Sequence, residues 1–176
     1  MNISVCIITK NEALKLKKCL ASLKRYDVEI VVVDTGSTDE TLQVIEEYAD
    51  IKGNYKWNDN FAEARNYSIT LANNEWILVL DSDEWIESAD MNLINSILLQ
   101  SDGNIVGRIE RINDINLSDE NVKGTERISR LFNKKYCHYE GRIHEQVVSI
   151  NGDEIETIDV PITAGHSGYA LSLIHI

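Results

Sequence analysis

The sequence predicts an α/β fold, a parallel sheet followed by a mixed or antiparallel half, and three observations carry that expectation. Three segments, Ile3 to Thr9, Glu29 to Asp34 and Glu75 to Asp81, are nearly continuous apolar runs of strand length, as expected of strands buried on both faces. Stretches with helical spacing of apolar residues separate them, joined by short connections, which is the signature of a parallel sheet with helices on both faces. After about residue 100 the pattern changes to segments that mix charged and apolar residues, as half-exposed strands do.

Taken in order, Ile3 to Thr9 opens the sheet, and Asn11 is placed to cap a helix over Ala13 to Lys24, with Leu16, Cys19 (or Leu20) and Leu23 on one face. Glu29 to Asp34 is the second strand. Thr38 then caps a helix carrying Leu42, Ile45 and Ala49. A weaker strand follows near Ile51 to Lys56, then a helix over Ala62 to Asn73 with Arg65, Ile69 and Ala72 at helical spacing. Glu75 to Asp81 is the third strong strand. Ser88 precedes a helix with Met91, Ile94, Ile97 and Leu98 on its apolar side. Ile105 to Ile112 and Glu126 to Asn133 are the half-exposed strands. Asn151-Gly152, between Val147–Ile150 and Glu154–Ile158, predicts a hairpin, because Asn-Gly tolerates the positive φ of a type I′ turn.

Length and composition narrow the classes of function. The chain has 176 residues, which suits one domain with a real core. No stretch approaches the ~20 apolar residues of a membrane span. Met1 to Lys10 lacks the features of a signal peptide, so a cytoplasmic protein, at most peripheral to a membrane, is expected. The three cysteines form no CxxC pair and read as reduced, mostly buried thiols. A formal net charge of −12 repels a phosphate backbone and argues against nucleic acid as a partner. An acidic chain can still bind a phosphorylated small molecule if a divalent cation bridges the two.

In an open parallel sheet, ligands bind beyond the carboxyl ends of the strands. Right-handed crossovers keep the strong strands parallel, so their ends share one edge. The first runs into Thr9-Lys10-Asn11-Glu12, the second into Asp34-Thr35-Gly36-Ser37, the third into Asp81-Ser82-Asp83-Glu84. Two carboxylates two residues apart in a tight loop can reach one ligand, one of them through Mg²⁺ or Mn²⁺, which take hard oxygen donors. A solvated acidic turn is the bland alternative, but the D-x-D sits at the end of a buried strand. Arg65, early in its helix, has the donor fork to pair with a diphosphate or, equally, with a nearby acid such as Glu63. Neither a GxGxxG nor a GxxxxGK[ST] element is present, which removes dinucleotide and P-loop readings.

Together these segments resemble glycosyltransferase family 2, of the A-type, Rossmann-like fold. The resemblance rests on Ser-Val-Cys-Ile-Ile-Thr-Lys-Asn-Glu12, Val-Val-Asp34-Thr-Gly-Ser-Thr-Asp39, Asn60-Phe-Ala-Glu-Ala-Arg65-Asn66 and Leu80-Asp-Ser-Asp83-Glu84. Arg130-Leu-Phe132, Gly141-Arg-Ile-His-Glu145 and Gly165-His-Ser-Gly-Tyr169 are similar to a branch with bacterial lipopolysaccharide-core glucosyltransferases and peptide glycosyltransferases. The resemblance implies transfer, with inversion, of a sugar from a nucleotide-sugar donor, usually a UDP-sugar, to a glycan, lipid-linked or peptide acceptor. It implies that Thr9, Asn11, Glu12, Asp34 and Thr35 line the nucleotide pocket, that Arg65 helps to hold the nucleotide or diphosphate, and that Asp81 lies near ribose and metal. Asp83 would ligate the metal. His144 and His166 are each candidates for a metal or diphosphate partner, with a hydrogen-bonded structural histidine as the bland alternative. Many relatives carry Asp-Asp-Gly-Ser where this chain has Asp34-Thr35, so the base contact differs. Glu145, beside His144, is the candidate base for the acceptor's proton.

Three other readings compete. Asp34-Thr-Gly-Ser matches the signature of aspartic proteases, whose all-β fold conflicts with the alternating helices. A sugar-nucleotide pyrophosphorylase has a related sheet but needs a Gly-rich loop absent from Thr9-Lys-Asn-Glu12. A non-catalytic, degenerate binding module would make Asp83 dispensable. Residues 1–170 are expected to form one domain, with a nucleotide-sugar-binding half over 1–100 and an incomplete acceptor-side half over 101–170. The hexapeptide Leu171-Ser-Leu-Ile-His-Ile176 resembles a translated sequencing-adapter end and is expected to be a non-native tail on a fragment.

Overall fold

The computed structural model describes residues 2–117 and 120–166. The expected tail, 171–176, and Tyr169 lie outside these residues. The elements run β1 (Ile3–Thr9), α1 (Ala13–Leu23), β2 (Glu29–Asp34), α2 (Thr41–Tyr48), β3 (Ile51–Asn54), α3 (Phe61–Leu71), β4 (Trp76–Asp81), β5 (Glu84–Ala89), α4 (Met91–Gln100), β6 (Ile105–Leu117), β7 (Glu120–Asn133), β8 (Cys137–Glu140), β9 (Gln146–Ser149) and β10 (Glu156–His166). One eight-stranded sheet has the order β3-β2-β1-β4-β7-β6-β10-β5, and β8 and β9 form a separate pair.

The parallel half is as the apolar runs predict. Val5, Cys6, Ile7, Val31, Val32, Val33, Ile77 and Leu80 are fully buried, because helices cover both faces of β1, β2 and β4. The register sets Thr9 beside Asp34 and Ile8 beside Asp81, so the polar strand ends form one rim. The second half is mixed: β7 runs antiparallel to β4 and β6, while β10 runs parallel to β6 and antiparallel to β5.

Four local expectations are corrected. Asn11 does not cap α1. It adopts a left-handed φ of 53°, and its side-chain oxygen accepts from the Thr38 N–H across the rim. Thr38 in turn does not cap α2, which begins at Thr41, where Asp39 accepts the backbone N–H. Leu42 is exposed, and Val44 packs in the core beside Ile45. Asn151-Gly152 makes a turn with Gly152 at φ 77°, but not a hairpin: β9 pairs back onto β8, and the strand after the turn joins the main sheet. Strand β5, which the sequence pattern did not reveal, begins right after the D-x-D and, among the described residues, pairs with β10 alone.

Candidate active site

The carboxyl ends of β1, β2 and β4 open into a cavity of about 590 Å³. Of the expected site residues, Thr9, Glu12, Thr35 and Arg65 line it from the first helices and turns, and Asp81, Asp83, Glu145 and His166 from the later elements. Trp57, Phe61 and Ile143 add an apolar side to the wall. Residues separated by more than a hundred positions therefore face one space. Asn11 and Asp34 are not in its lining: Asn11 is exposed at the rim and Asp34 is buried beneath it. Both oxygens of the buried Asp34 carboxylate accept backbone N–H groups, from Gly36 at 2.9 Å and from Ser37 at 3.0 and 3.2 Å. Gly36 itself has φ 110°, a conformation that L side chains rarely take. Thr35 is tied to the end of β1 through Thr9 O, which accepts both its N–H and its hydroxyl.

The first Asp of the D-x-D lines the cavity and is paired on both oxygens. Asp81 Oδ1 accepts from Arg65 Nη2 at 2.6 Å, and its Oδ2 accepts from Arg130 Nη2 at 2.5 Å. Burial alone would raise the pKa of this carboxyl; Arg130 and Arg65 override it and hold the group well below the usual carboxylate range. Arg65 also donates through Nε to Glu145 Oε1 at 2.7 Å. Its fork thus meets two acids, neither of them Glu63, whose carboxylate accepts from Asn60 Nδ2 and whose backbone N–H donates to Asn60 Oδ1. Burial works against the charge on Arg65, and Asp81 and Glu145 outweigh it, so its pKa is raised.

Glu145 comes from the loop between β8 and β9, which turns sharply on two left-handed residues, Gly141 (φ 104°) and His144 (φ 58°). A Cβ at Gly141 would lie 3.3 Å from the Glu145 Cα, so the glycine also lets the loop fold back on itself. The loop is fastened to the helix entry by the Phe61 N–H on Arg142 O at 3.1 Å.

Asp83 and His166 face each other across the cavity floor, with Asp83 Oδ2 3.4 Å from His166 Nε2. Asn113 Oδ1 lies 2.9 Å from His166 Nδ1, which directs Nε2 towards the carboxylate. The hydrogen bond to Asp83 raises the imidazole pKa against its burial. An oxygen and an imidazole nitrogen are donors that suit Mn²⁺ or Mg²⁺. Among the described residues no group of three or more His, Cys, Asp or Glu side chains converges on one point, so a cation here would draw its other ligands from substrate and water.

Sequence reasoning assigned no role to Arg111, Arg130 or Glu84. All three lie on strands beside the site, and Glu84 is completely buried. A visible signal was Arg130 itself, a cation between apolar residues in Ile128-Ser-Arg-Leu-Phe132, since buried charges are nearly always paired.

Comparison with known proteins settles the family. A family model described as "Glycosyl transferase family 2" matches residues 4–149. The chain belongs to glycosyltransferase family 2. It is 32% identical over 170 residues to the SPbeta prophage-derived glycosyltransferase SunS of Bacillus subtilis (strain 168), covering 93% of this chain and 39% of that protein. It is 30% identical over 155 residues to the lipopolysaccharide core biosynthesis glycosyltransferase LpsC of Rhizobium meliloti, covering 83% of this chain and 57% of LpsC. S. aureus TarS 1-349 in complex with UDP superposes with a TM-score of 0.52 at 25% identity, over 69% of this chain and 38% of TarS. The family 2 chain thus spans between about a third and three fifths of the length of these three proteins. Its sheet is the one shared by A-type glycosyltransferases, which excludes the all-β protease reading of Asp34-Thr-Gly-Ser. The three cysteines are free and buried, as expected, and burial pushes the Cys6 thiol up to about 12. No helix among the described residues is long and apolar enough to cross a membrane.

Proposed function

We propose that this chain carries the donor site and the catalytic base of an inverting, metal-dependent glycosyltransferase that moves a sugar from a UDP-sugar to a glycan, lipopolysaccharide-core or peptide hydroxyl. The observation that carries the reading is the placement of Asp83, His166 and Glu145 around one cavity at the carboxyl ends of a parallel sheet. The names of SunS and LpsC support the transfer of a sugar, and the UDP complex of TarS supports a uridine nucleotide.

In this reading the nucleotide lies along the ends of β1 and β2, against Thr9 and Thr35, and the diphosphate reaches Asp83 and His166. A divalent cation bound there would neutralise the charge that develops on the departing diphosphate. Asp81 and Arg65 shape the wall rather than contact the metal. Glu145 accepts the proton of the acceptor hydroxyl. One of its oxygens is held by Arg65 Nε, so the carboxylate is fixed in direction while the other oxygen serves the acceptor. A second cavity of about 590 Å³ adjoins the first and includes Ser129, Tyr139 and Gln146 in its wall. Arg65, Asp81, Arg111, His144 and Glu145 border both cavities. Donor in the first and acceptor in the second would meet at Glu145; single-step inversion needs base and leaving group on opposite sides of the sugar.

The deciding experiment is a screen of UDP-sugars for UDP release with Mn²⁺ or with EDTA. UDP release from at least one donor, abolished by EDTA, is expected. Absence of UDP binding and turnover across the panel would sink the assignment.

A further inference from the structure

We infer that Arg130 is a positioning residue for Glu145, acting through Asp81 and Arg65; the inference rests on the reading of Glu145 as the base. Neither the match to the family nor the D-x-D pattern assigns Arg130 this role. It emerges from a chain of alternating charges that crosses the sheet edge.

The chain starts on the surface and ends at the site. Glu126 meets Arg111 at 2.7 Å, and Arg111 meets Glu84 at 3.0 Å. Glu84 meets Arg130 at 3.0 Å, Arg130 meets Asp81 at 2.5 Å, Asp81 meets Arg65 at 2.6 Å, and Arg65 meets Glu145 at 2.7 Å. Burial is deepest in the middle. The side chain of Glu84 is 0% exposed, that of Arg130 9% and that of Arg65 6%. In so little water the pairs are screened weakly, and the loss of one member redistributes the others.

The atoms show why Arg130 matters at the far end. Asp81 divides its negative charge between two guanidinium groups, one oxygen to each. Because Arg130 takes Oδ2, Arg65 meets Asp81 with Nη2 alone, and its Nε remains for Glu145. Glu84 holds the arrangement from behind: its Oε1 meets Arg130, and its Oε2 accepts the Asp81 backbone N–H at 3.0 Å. Without Arg130, the whole charge of Asp81 falls to Arg65. The favoured geometry is then a two-point fork on Asp81, which takes Nε away from Glu145 and frees the loop carboxylate to turn.

A network that served stability alone would leave the Arg65–Glu145 contact intact when Arg130 is changed, and this distinguishes the two roles. The test reads the arginine Nε–H resonances of the ligand-free protein by ¹H–¹⁵N NMR, with the Arg65 line identified by its loss in Arg65→Lys. Glu145→Gln should move that line. The charge-balanced pair Arg130→Met with Glu84→Gln should also move it, and should leave it indifferent to a further Glu145→Gln because Nε then faces Asp81; Arg130→Lys, which keeps the charge but not the fork, should move it part of the way. If the paired variant does not fold, Arg130→Lys alone decides. An Arg65 line that responds to Glu145→Gln but stays in place in the Arg130 variants overturns the inference. Failure of the functional reading looks different: the wild-type protein would bind no UDP in the presence of Mn²⁺, while the line shifts would still occur.

Discussion

Replacing Asp81 with asparagine removes one negative charge from between two buried guanidinium groups. The amide oxygen can accept from either Arg65 or Arg130, but the amide nitrogen then faces the other as donor against donor. Removing one partner of a buried ion pair costs about 3–5 kcal/mol, because the remaining charge is left unpaired. The Asp81 side chain is 29% exposed at the cavity, so water screens part of the loss and the lower end, about 3 kcal/mol, applies. For a chain of this length 1 kcal/mol moves the thermal midpoint by roughly 2–4 °C, so the midpoint of Asp81→Asn should fall by about 6–12 °C. Thermal unfolding followed by circular dichroism measures this. Glu75→Gln, which breaks the exposed pair with Lys135, is the control and should leave the midpoint in place. A midpoint for Asp81→Asn equal to that control would show that the two arginines do not depend on the carboxylate, and the account of the site's electrostatics would fail.

Four further outcomes are expected. Glu145→Gln should leave UDP affinity nearly intact and cut transfer by ~10²–10⁴-fold, the usual worth of a general base; transfer at the wild-type rate would move that role elsewhere. Asp83→Ala should remove most of the difference in UDP affinity measured by calorimetry with Mn²⁺ and with EDTA, and an unchanged difference would locate the cation at other residues. Gly165→Ala would place a Cβ 2.4 Å from the Trp85 ring and should destabilise by about 1–3 kcal/mol through overpacking, read as a lower urea midpoint; an unaltered midpoint would contradict the tight seating of β10 on β5. Burial pushes the Glu29 pKa up, but hydrogen bonds from Ser4 and Asn73 outweigh it and hold the group below the usual carboxylate range. A pKa lowered in the fold contributes stability that is present above the unfolded value of ~4.3 and lost as pH falls through the folded one. Glu29→Gln should therefore lower stability at pH 7 and lose its effect in acid, and an equal deficit at both pH values would refute the linkage.

The legible parts of the molecule are those whose physics is local. β1, β2 and β4 declare themselves because burial on both faces demands unbroken apolar runs, and the rule that ligands sit at strand ends then picks out Thr9, Thr35, Asp81 and Asp83. Strand β5 was hidden because Glu84-Trp-Ile-Glu-Ser-Ala89 has little alternation and begins immediately after an acidic turn. The false hairpin at Asn151-Gly152 had the right turn chemistry, but pairing is set by what covers each strand, and the strand after the turn is claimed by β6 and β5. The charge chain was illegible for a similar reason. Arg65, Asp81, Glu84, Arg111, Glu126, Arg130 and Glu145 are spread over α3, β4, β5, β6, β7 and the loop after β8, and the sheet order brings them into contact. The same order makes Arg65 a bridge between two carboxylates, Asp81 and Glu145, rather than a partner of Glu63.

The position of β10 has a consequence for how the protein comes into being during synthesis. Among the described residues strand β5 pairs with β10 alone, and more than sixty residues separate Ala89 from the first paired residues of β10 near Glu156. At ~5–20 residues per second, β5 waits several seconds on the ribosome with an open edge, and Trp85 waits without the glycine that receives it. The parallel strands β1 to β4 can assemble meanwhile, but His166 is the last residue of β10, so the full set of donors around the cavity exists only when that strand emerges. Nascent chains halted before Glu156 should therefore have a nucleotide-side sheet and no complete ligand site, and would gain nothing from the substrate that stabilises the finished domain.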